Sequence, residues 1–559
     1  MSKKNLDLED KDLMSKQRYS FANRYWFPFI LGIITLLAFI LRYKCCFWGY
    51  PYLLHPDEPV IVKSSIDMLS RHSWETFMYD RPDHFEIKCN SVLFTIVSYL
   101  KYGVPAYEAF DEHTGVFYLI ARLYTTVFGT LLVPLVALYT GKLFSFLKEI
   151  NRKLIQVLSA FFIAFFQIFV EHSSYATPDI VLAFFVVLFA YEMACYIDDG
   201  KRCHLVVSIL SIGIGITTKY TAAILVIPYA SIVIYRCIRI DRKISEVFRI
   251  AAKSVVLLLF VVFVIAPNLF TDYNTVIKNF IEEARPNHLG ADGLGFWGNL
   301  RFYLNSCMLC GDFFTILLFS LGLVALLIYR NRNNLSLVTG LCYWICMSVV
   351  PLHWTRWGIP IYIFYFIIMS FGIVSSLNFI HDHFDKRVLS ICAQCLCRFV
   401  VVLVMLNMVI TSIAFTKMKS LPNSRILAMT YTQENEVTKD NSLYEGYTPL
   451  HTICCYPPLT AFEVTDEAVT IKSEYADKKY YVMSDSFVNR FRYEPDRYVD
   501  ECRIYDMLET NYEVVYFNNP DGNYAVNDNI FQNIYYSFKY ILGNQTSSGD
   551  SITIYQLNS

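Results

Sequence analysis

A polytopic α-helical membrane protein with a small α+β domain at its C-terminal end is the architecture this sequence predicts, on three observations. Apolar residues make up 55% of the 559 positions and charged residues only 17%, and the apolar residues gather into many separate runs near the length of a bilayer span. Lys- and Arg-rich connections recur between alternate runs, the bias that keeps a loop on the cytoplasmic side. From about residue 417 the chain turns polar, with short β-rich pieces between Asn, Pro and Gly turns. A formal net charge of −1, with no basic face or tail, excludes nucleic acid as a partner.

Taken in order, Lys3, Lys4, Lys11, Lys16, Arg18 and Arg24 precede the first apolar run, 26–48. No small-residue cleavage site follows, so the run reads as a retained signal anchor with residues 1–25 in the cytoplasm. A large outer loop, 49–115, comes next. Within it a helix from Pro59 to Arg71 would place Val62, Ile66 and Leu69 on one face, suited to lying along the membrane surface. The apolar run 89–100 would reach roughly 18 Å as a helix, too short for the ~30 Å hydrocarbon core, and reads as interfacial or re-entrant.

Further spans fall at 116–141, 154–170, 180–197, 205–217, 220–235, 250–269, 306–329, 335–350, 358–379 and 396–416, about eleven with the first. The connections 142–153, 198–204, 236–249, 330–334 and 381–387 hold the excess of Lys and Arg, and all fall on the side of the N-terminus. A single helix over 205–235 would reach ~46 Å with Lys219 near its middle. A hairpin instead puts Lys219 at the outer surface and keeps Arg236, Arg239, Arg242 and Lys243 inside. Residues 26–416 thus form the membrane domain, and parity puts the α+β domain, 417–559, outside. Strands are expected near 480–482, 512–517 and 551–555, and Asn544-Gln545-Thr546 is a glycosylation sequon that matters only in a eukaryote.

Among 16 cysteines, Cys342, Cys346, Cys392, Cys395 and Cys397 lack metal-ligand spacing and read as small core residues. A disulfide among Cys454, Cys455 and Cys502 is left open.

The first outer loop carries Leu54-His55-Pro56-Asp57-Glu58-Pro59. Two adjacent acids at a membrane surface must be kept wet or paired; with Pro59 suited to a first helical turn, they also fit a plain helix cap. Other polar residues sort to the same rim. Glu171, His172, Tyr175 and Asp179 lie in the second outer connection, followed by Lys219, then by Arg285-Pro286-Asn287-His288 in the long loop 271–305, and by His353-Trp354-Thr355-Arg356-Trp357-Gly358. Each has a plain explanation: Lys219 and Arg356 as snorkelling cations, Asp179 as a cap after Pro178, His172 and His288 as surface histidines. Together, acids and histidines for proton chemistry, cations for a phosphate and aromatics for a sugar or lipid make a site.

The order of these features resembles the GT-C glycosyltransferases that use polyprenyl-phosphate sugars, in particular glycosyltransferase family 39, the protein O-mannosyltransferase and aminoarabinose-transferase-like group. The matching pieces are His55-Pro56-Asp57-Glu58, Arg122 in Ala121-Arg122-Leu123, the stretch from His172 to Asp179, Gly213 to Tyr220, and Arg356-Trp357-Gly358-Ile359-Pro360. They cover roughly residues 25–380. Trp357 stands where relatives tend to have a tyrosine, and no long domain is inserted between spans. The resemblance implies a GT-C fold and transfer of a sugar, with inversion, from a polyprenyl-phosphate carrier to a hydroxyl of a lipid, glycan or protein at the outer face.

Such a transfer needs a carboxylate to take the hydroxyl proton and cations to meet the charge growing on the leaving phosphate. Asp57 is the expected base. Glu58 joins it as a catalytic acid, and Glu58 and Asp179 position the acceptor or share a divalent ion with Asp57. Arg122, Lys219 and Arg356 are expected on the donor phosphate. His55, His172, Tyr175, Asp179, His288 and Trp357 are expected on substrate. Oxygen ligands alone leave the need for a metal open. The alternative from another class is a transporter or flippase of lipid-linked saccharides, for which internal repeats and midplane polar helices are the signature; the polar residues here gather at a rim. The expected location is a multi-pass protein of a bacterial inner or plasma membrane, in contact with membrane lipid.

Overall fold

A computed structural model describes residues 25–557 except 77, 78, 80, 242, 284–287, 291, 308–311, 384–386 and 528. The basic N-terminal stretch, Arg242 and Arg285-Pro286-Asn287 lie outside the described residues.

The membrane part is a bundle of helices: α1 (Tyr25–Cys45), α2 (Glu58–Ser70), α3 (His84–Lys101), α4 (Ala106–Leu143), α5 (Glu149–Phe165), α6 (Gln167–His172), α7 (Asp179–Asp199), α8 (Arg202–Thr218), α9 (Val226–Tyr235), α10 (Ile244–Ile265), α11 (Asn268–Thr271), α12 (Tyr273–Glu283), α13 (Gly295–Ser306), α14 (Asp312–Ile328), α15 (Val338–Val349), α16 (Ile359–His383) and α17 (Arg387–Ser420). Each of the expected spans falls on helix. Among the described residues seven helical segments are long and apolar enough to cross a membrane alone, and Arg202–Thr218 and Phe313–Ile328 are shorter apolar helices.

α7 is apolar on nearly every side because it is the centre of the bundle; Ile180, Val186, Phe189, Ala190 and Met193 are buried against α4, α8 and α16. Its N-terminal end therefore opens in the middle of the protein. The expected break at Lys219 is present: α8 stops at Thr218, Lys219 is extended, and a 3-10 turn, Tyr220–Leu225, leads into α9. The chain then returns antiparallel to α8, because Arg236 donates to the Ile197 carbonyl at the far end of α7 (2.6 Å).

The first loop departs from expectation. Val62 and Ile66 of α2 are buried with Phe94 of α3 and Phe117 and Tyr118 of α4, so the apolar face of α2 packs on protein. α3 has 18 residues, longer than the apolar run alone suggested, because Glu86, Lys88 and Asn90 are buried within it.

The C-terminal domain comprises α18 (Ser424–Glu434), α19 (Asp485–Tyr493), α20 (Val499–Asn511), α21 (Ile530–Leu542) and six strands: β1 (Ser442–Tyr444), β2 (Phe462–Val464), β3 (Val469–Ile471), β4 (Tyr480–Ser484), β5 (Glu513–Asn518) and β6 (Ile552–Gln556). Four form a sheet in the order β1-β4-β6-β5, with β1 parallel to β4 and the other pairs antiparallel; β2 and β3 make a separate antiparallel pair. Cys454, Cys455 and Cys502 are free thiols, which corrects the open disulfide. Cys392 and Cys395 are exposed on α17 rather than packed in the core.

Glu445 is fully buried in this domain and accepts from the Tyr481 hydroxyl (2.9 Å), the Tyr505 hydroxyl (2.9 Å) and the Ser484 N–H (2.9 Å). With no cation beside it, burial outweighs these donors and pushes its carboxyl up to about 7.

Two predictions follow from the packing. α14 and α16 touch backbone to backbone at Gly322 and Gly372, where an added Cβ would collide with the Ile368 and Leu318 carbonyls. Gly372→Ala should cost about 1–3 kcal/mol as overpacking does elsewhere, read as a lower thermal midpoint, whereas Gly32→Ala, with open space around it, should change nothing. For Glu445, a folded value raised to about 7 means that the folded state holds the proton more tightly than the unfolded chain does. The C-terminal domain should be most stable in acid and lose stability as pH rises through 7, and Glu445→Gln should flatten that slope in denaturation followed against pH.

Candidate active site

Helix ends leave backbone groups without partners and tolerate polar side chains that a helix interior in lipid does not. A set of polar residues collects at such ends on one rim. Asp57 and Glu58 open α2, Asp83 precedes α3, Asp179 opens α7, Lys219 fills the break after α8, and Arg356 sits in the 3-10 turn Thr355–Gly358 before α16. Asp57 occupies the cap position of α2 yet makes no side-chain cap bond. A plain capping role therefore does not account for it.

Asp57, Asp179, Lys219, Arg356 and Trp357 converge on one cavity of about 530 Å³. One oxygen of Asp57 accepts from Arg81 (3.1 Å) and the other from Arg356. Burial alone would raise this carboxyl, but the two guanidinium groups more than offset it and hold the acid far below the usual carboxylate range. Asp179 accepts from the Lys219 ammonium (2.7 Å), which lies 5.3 Å from the centre of the Trp357 ring. Away from the charges, Phe280, Met347, Val349, Val350 and Leu352 give the same cavity an apolar wall.

Arg81 and Asp83 complete the cluster, joined at 2.8 Å, and the sequence reading missed both. Their signal is Arg81-Pro82-Asp83-His84, a Pro-Asp step beside a histidine like the one at Pro56-Asp57, in the same loop.

Glu58 and Arg122 are elsewhere. Glu58 is fully buried and pairs with Arg122 through two bonds of 2.7 Å, while also accepting the Ala176 N–H (3.0 Å). Arg122 spends its remaining Nη1 donors on the carbonyls of Cys46 (2.9 Å) and Trp48 (2.7 Å). Neither lines the cavity, which corrects the expectation of Glu58 as a catalytic acid and of Arg122 as a phosphate ligand. The pair instead ties the start of α2 to α4, to the end of α1 and to the connection before α7.

His55 and Tyr175 lie behind Asp57. Burial pushes the His55 imidazole down to about 4, so the neutral ring accepts the Asp57 N–H on Nδ1 (3.2 Å). The ring lies on Tyr175 at 4.3 Å between centroids. Lys419 donates to the Tyr175 hydroxyl (2.5 Å) and rests 3.9 Å from the centre of the Trp48 ring. This chain of contacts fixes the backbone of Asp57 from the end of α17. His172 packs edge-on against Tyr175, and His288 against Trp354; neither lines the cavity.

Asp57 and Asp179 share the cavity but each is paired with cations, and Glu58 is turned away to Arg122. Among the described residues no group of three or more His, Cys, Asp and Glu is placed to hold a metal ion.

The bundle, with its polar rim and appended α+β domain, can be set against solved structures. The archaeal oligosaccharyltransferase AglB from Archaeoglobus fulgidus, in complex with an inhibitory peptide and a dolichol-phosphate, superposes with a TM-score of 0.51 at 12% identity, over 92% of this chain and 77% of that one. ArnT from Cupriavidus metallidurans in the apo state superposes with a TM-score of 0.50 at 14% identity, over 89% of this chain and 96% of that one. The chain has the GT-C fold that these proteins share. Within it, residues 112–269 match the family described as dolichyl-phosphate-mannose-protein mannosyltransferase, a segment that includes Asp179 and Lys219 but neither Asp57 nor Arg356. Comparison with curated proteins finds no match by sequence.

Removing one partner of the Glu58–Arg122 pair leaves an uncompensated buried charge. Glu58→Ala should lower unfolding stability by about 3–5 kcal/mol, whereas the double variant Glu58→Leu/Arg122→Met should recover most of it; thermal denaturation of the purified protein distinguishes the two.

Proposed function

We propose that this chain is an inverting glycosyltransferase that moves a sugar from a polyprenyl-phosphate carrier to a hydroxyl acceptor of a lipid, a glycan or a protein at the outer membrane face. The observation that carries this reading is the single cavity in which the Asp57 carboxylate stands beside Arg81, Arg356 and Lys219, with an apolar wall at hand. An acid for the attacking hydroxyl and cations for a phosphate are the two groups the reaction needs. The apolar wall suits the first isoprene units, so that the carrier stays in lipid while its phosphate meets the cations. The dolichol-phosphate in the AglB complex is a ligand of that chemistry on the same fold.

In the resting site Asp57 is a weak base, because Arg356 and Arg81 hold its negative charge. A donor phosphate offers those guanidinium groups a second anion. As Arg356 turns toward the phosphate together with Lys219, Asp57 loses part of its cationic shell and its affinity for a proton rises. Donor binding thereby readies the base for the acceptor hydroxyl. Asp57 takes the hydroxyl proton as that oxygen bonds to the anomeric carbon. The bond from that carbon to the phosphate oxygen breaks, and the phosphate monoester leaves against Lys219 and Arg356. Asp179 holds the Lys219 ammonium in place, and Trp357 offers a flat face beside it for a sugar ring.

This reading assigns residues 26–416 to the catalytic membrane domain and 417–559 to an outer domain. The N-terminus is then cytoplasmic, in a bacterial inner or plasma membrane.

Membranes carrying the chain should transfer radiolabelled sugar from at least one of a panel of polyprenyl-phosphate sugars to an endogenous acceptor. Asp57→Asn should lower the rate about 10²–10⁴-fold and Lys219→Met about 10²-fold. No transfer from any donor, or full activity in Asp57→Asn, would rule the assignment out.

A further inference from the structure

At the rim opposite the Asp57 cavity, α8 and α10 pack side by side and leave a groove of about 130 Å³ between them. The groove lies about 25 Å from Lys219 along the 17 residues of α8, so it belongs to the other leaflet. On α10 the lining residues Glu246, Arg249, Ile250, Lys253, Ser254 and Leu257 recur at the three- and four-residue spacing of one helix face. Arg202, Val206 and Ile209 of α8 face them.

The groove is graded along its length. Arg202, Arg249 and Lys253 stand at its open end with one acid, Glu246, which reaches Arg249 at 2.7 Å and Arg202 at 3.7 Å. Among the described residues Lys253 has no ion-pair partner. Three cations against one carboxylate leave the mouth positive. Deeper along the two helices the wall is Val206, Ile209 and Leu257, all apolar. Only 6% of the most apolar stretch of α10 is buried and Val206 of α8 is exposed, with Ile209 buried beneath them, so the groove opens along α10 and Val206.

We propose that this groove binds an anionic phospholipid of the leaflet opposite the Asp57 cavity. Its phosphate sits among Arg202, Arg249 and Lys253, and an acyl chain lies along Val206, Ile209 and Leu257. Charge complementarity selects an anionic headgroup, and the apolar wall beyond the cations selects a lipid over a free anion. The bound lipid fills a gap that α10, leaning on α8 alone over much of its length, cannot close with protein.

The test is native mass spectrometry of the full-length protein in detergent, titrated separately with phosphatidylglycerol, phosphatidylcholine and inorganic phosphate. Phosphatidylglycerol should bind, and Arg249→Gln/Lys253→Gln should weaken it roughly 30-fold, at about 1 kcal/mol per cation. Glu246→Gln should tighten it. A charge-matched control on the same rim, Lys148→Gln/Arg330→Gln, should leave it unchanged. Equal binding of phosphatidylcholine, capture of inorganic phosphate as tight as that of lipid, or an equal loss in the control would each overturn the proposal.

Discussion

The buried pair of Glu58 and Arg122 is the constraint on which the rest of the site rests. Neither residue reaches the cavity, yet between them they bind α2, α4, the carbonyl end of α1 and the N–H of Ala176 just ahead of α7. A carboxylate with three strong donors and a guanidinium with two carbonyls besides its carboxylate are satisfied as fully as their geometry allows. Burial of both charges is tolerable only in that arrangement. Because Asp57 is the next residue in the chain, fixing Glu58 also fixes where Asp57 points. The adjacent acids divide the work: one is spent on structure so that the other can face the cavity.

Much of this fold was legible in the sequence. Every expected span lies on helix, Lys219 does mark a hairpin, and the strands near 480, 512 and 551 are present. These features follow from local chemistry, since apolar runs, cation-rich loops and turn residues each act within a few positions. Of the residues that line the cavity, Asp57, Asp179, Lys219, Arg356 and Trp357 were named from the sequence because each lies in a short polar or aromatic stretch between apolar runs. What the sequence hid was pairing. Whether a given Arg faces a phosphate or a neighbouring carboxylate depends on contacts across the bundle, and Arg122 and Glu58 are 64 positions apart. Arg81 and Asp83 were missed for a related reason, since they lie in a long loop with no span beside them to lend direction. The protein neighbours of α2 were not legible because its apolar stripe fits protein as well as it fits lipid.

The electrostatics of the cavity are balanced in a particular way. Asp57, Asp83 and Asp179 are set against Arg81, Lys219 and Arg356, three acids and three bases in a partly closed space. Such a site has little net field of its own in the absence of a ligand. On the proposed reading, an arriving phosphate does not meet free cations; it must exchange partners with carboxylates already in place. That exchange costs affinity, and it gives the site a means of changing the basicity of Asp57 as the donor arrives.

One contact from the C-terminal domain bears on how the protein is made. Arg425 donates to the carbonyl of Leu54, three residues before Asp57, across 371 positions of chain, and Lys419 props Tyr175 under His55. Contacts of such long range form late, because the intervening chain must first be synthesised and its helices inserted. The loop bearing Asp57 is therefore synthesised long before Arg425 and Lys419, the residues that support it. Until those residues are made, the membrane bundle holds the loop without that support.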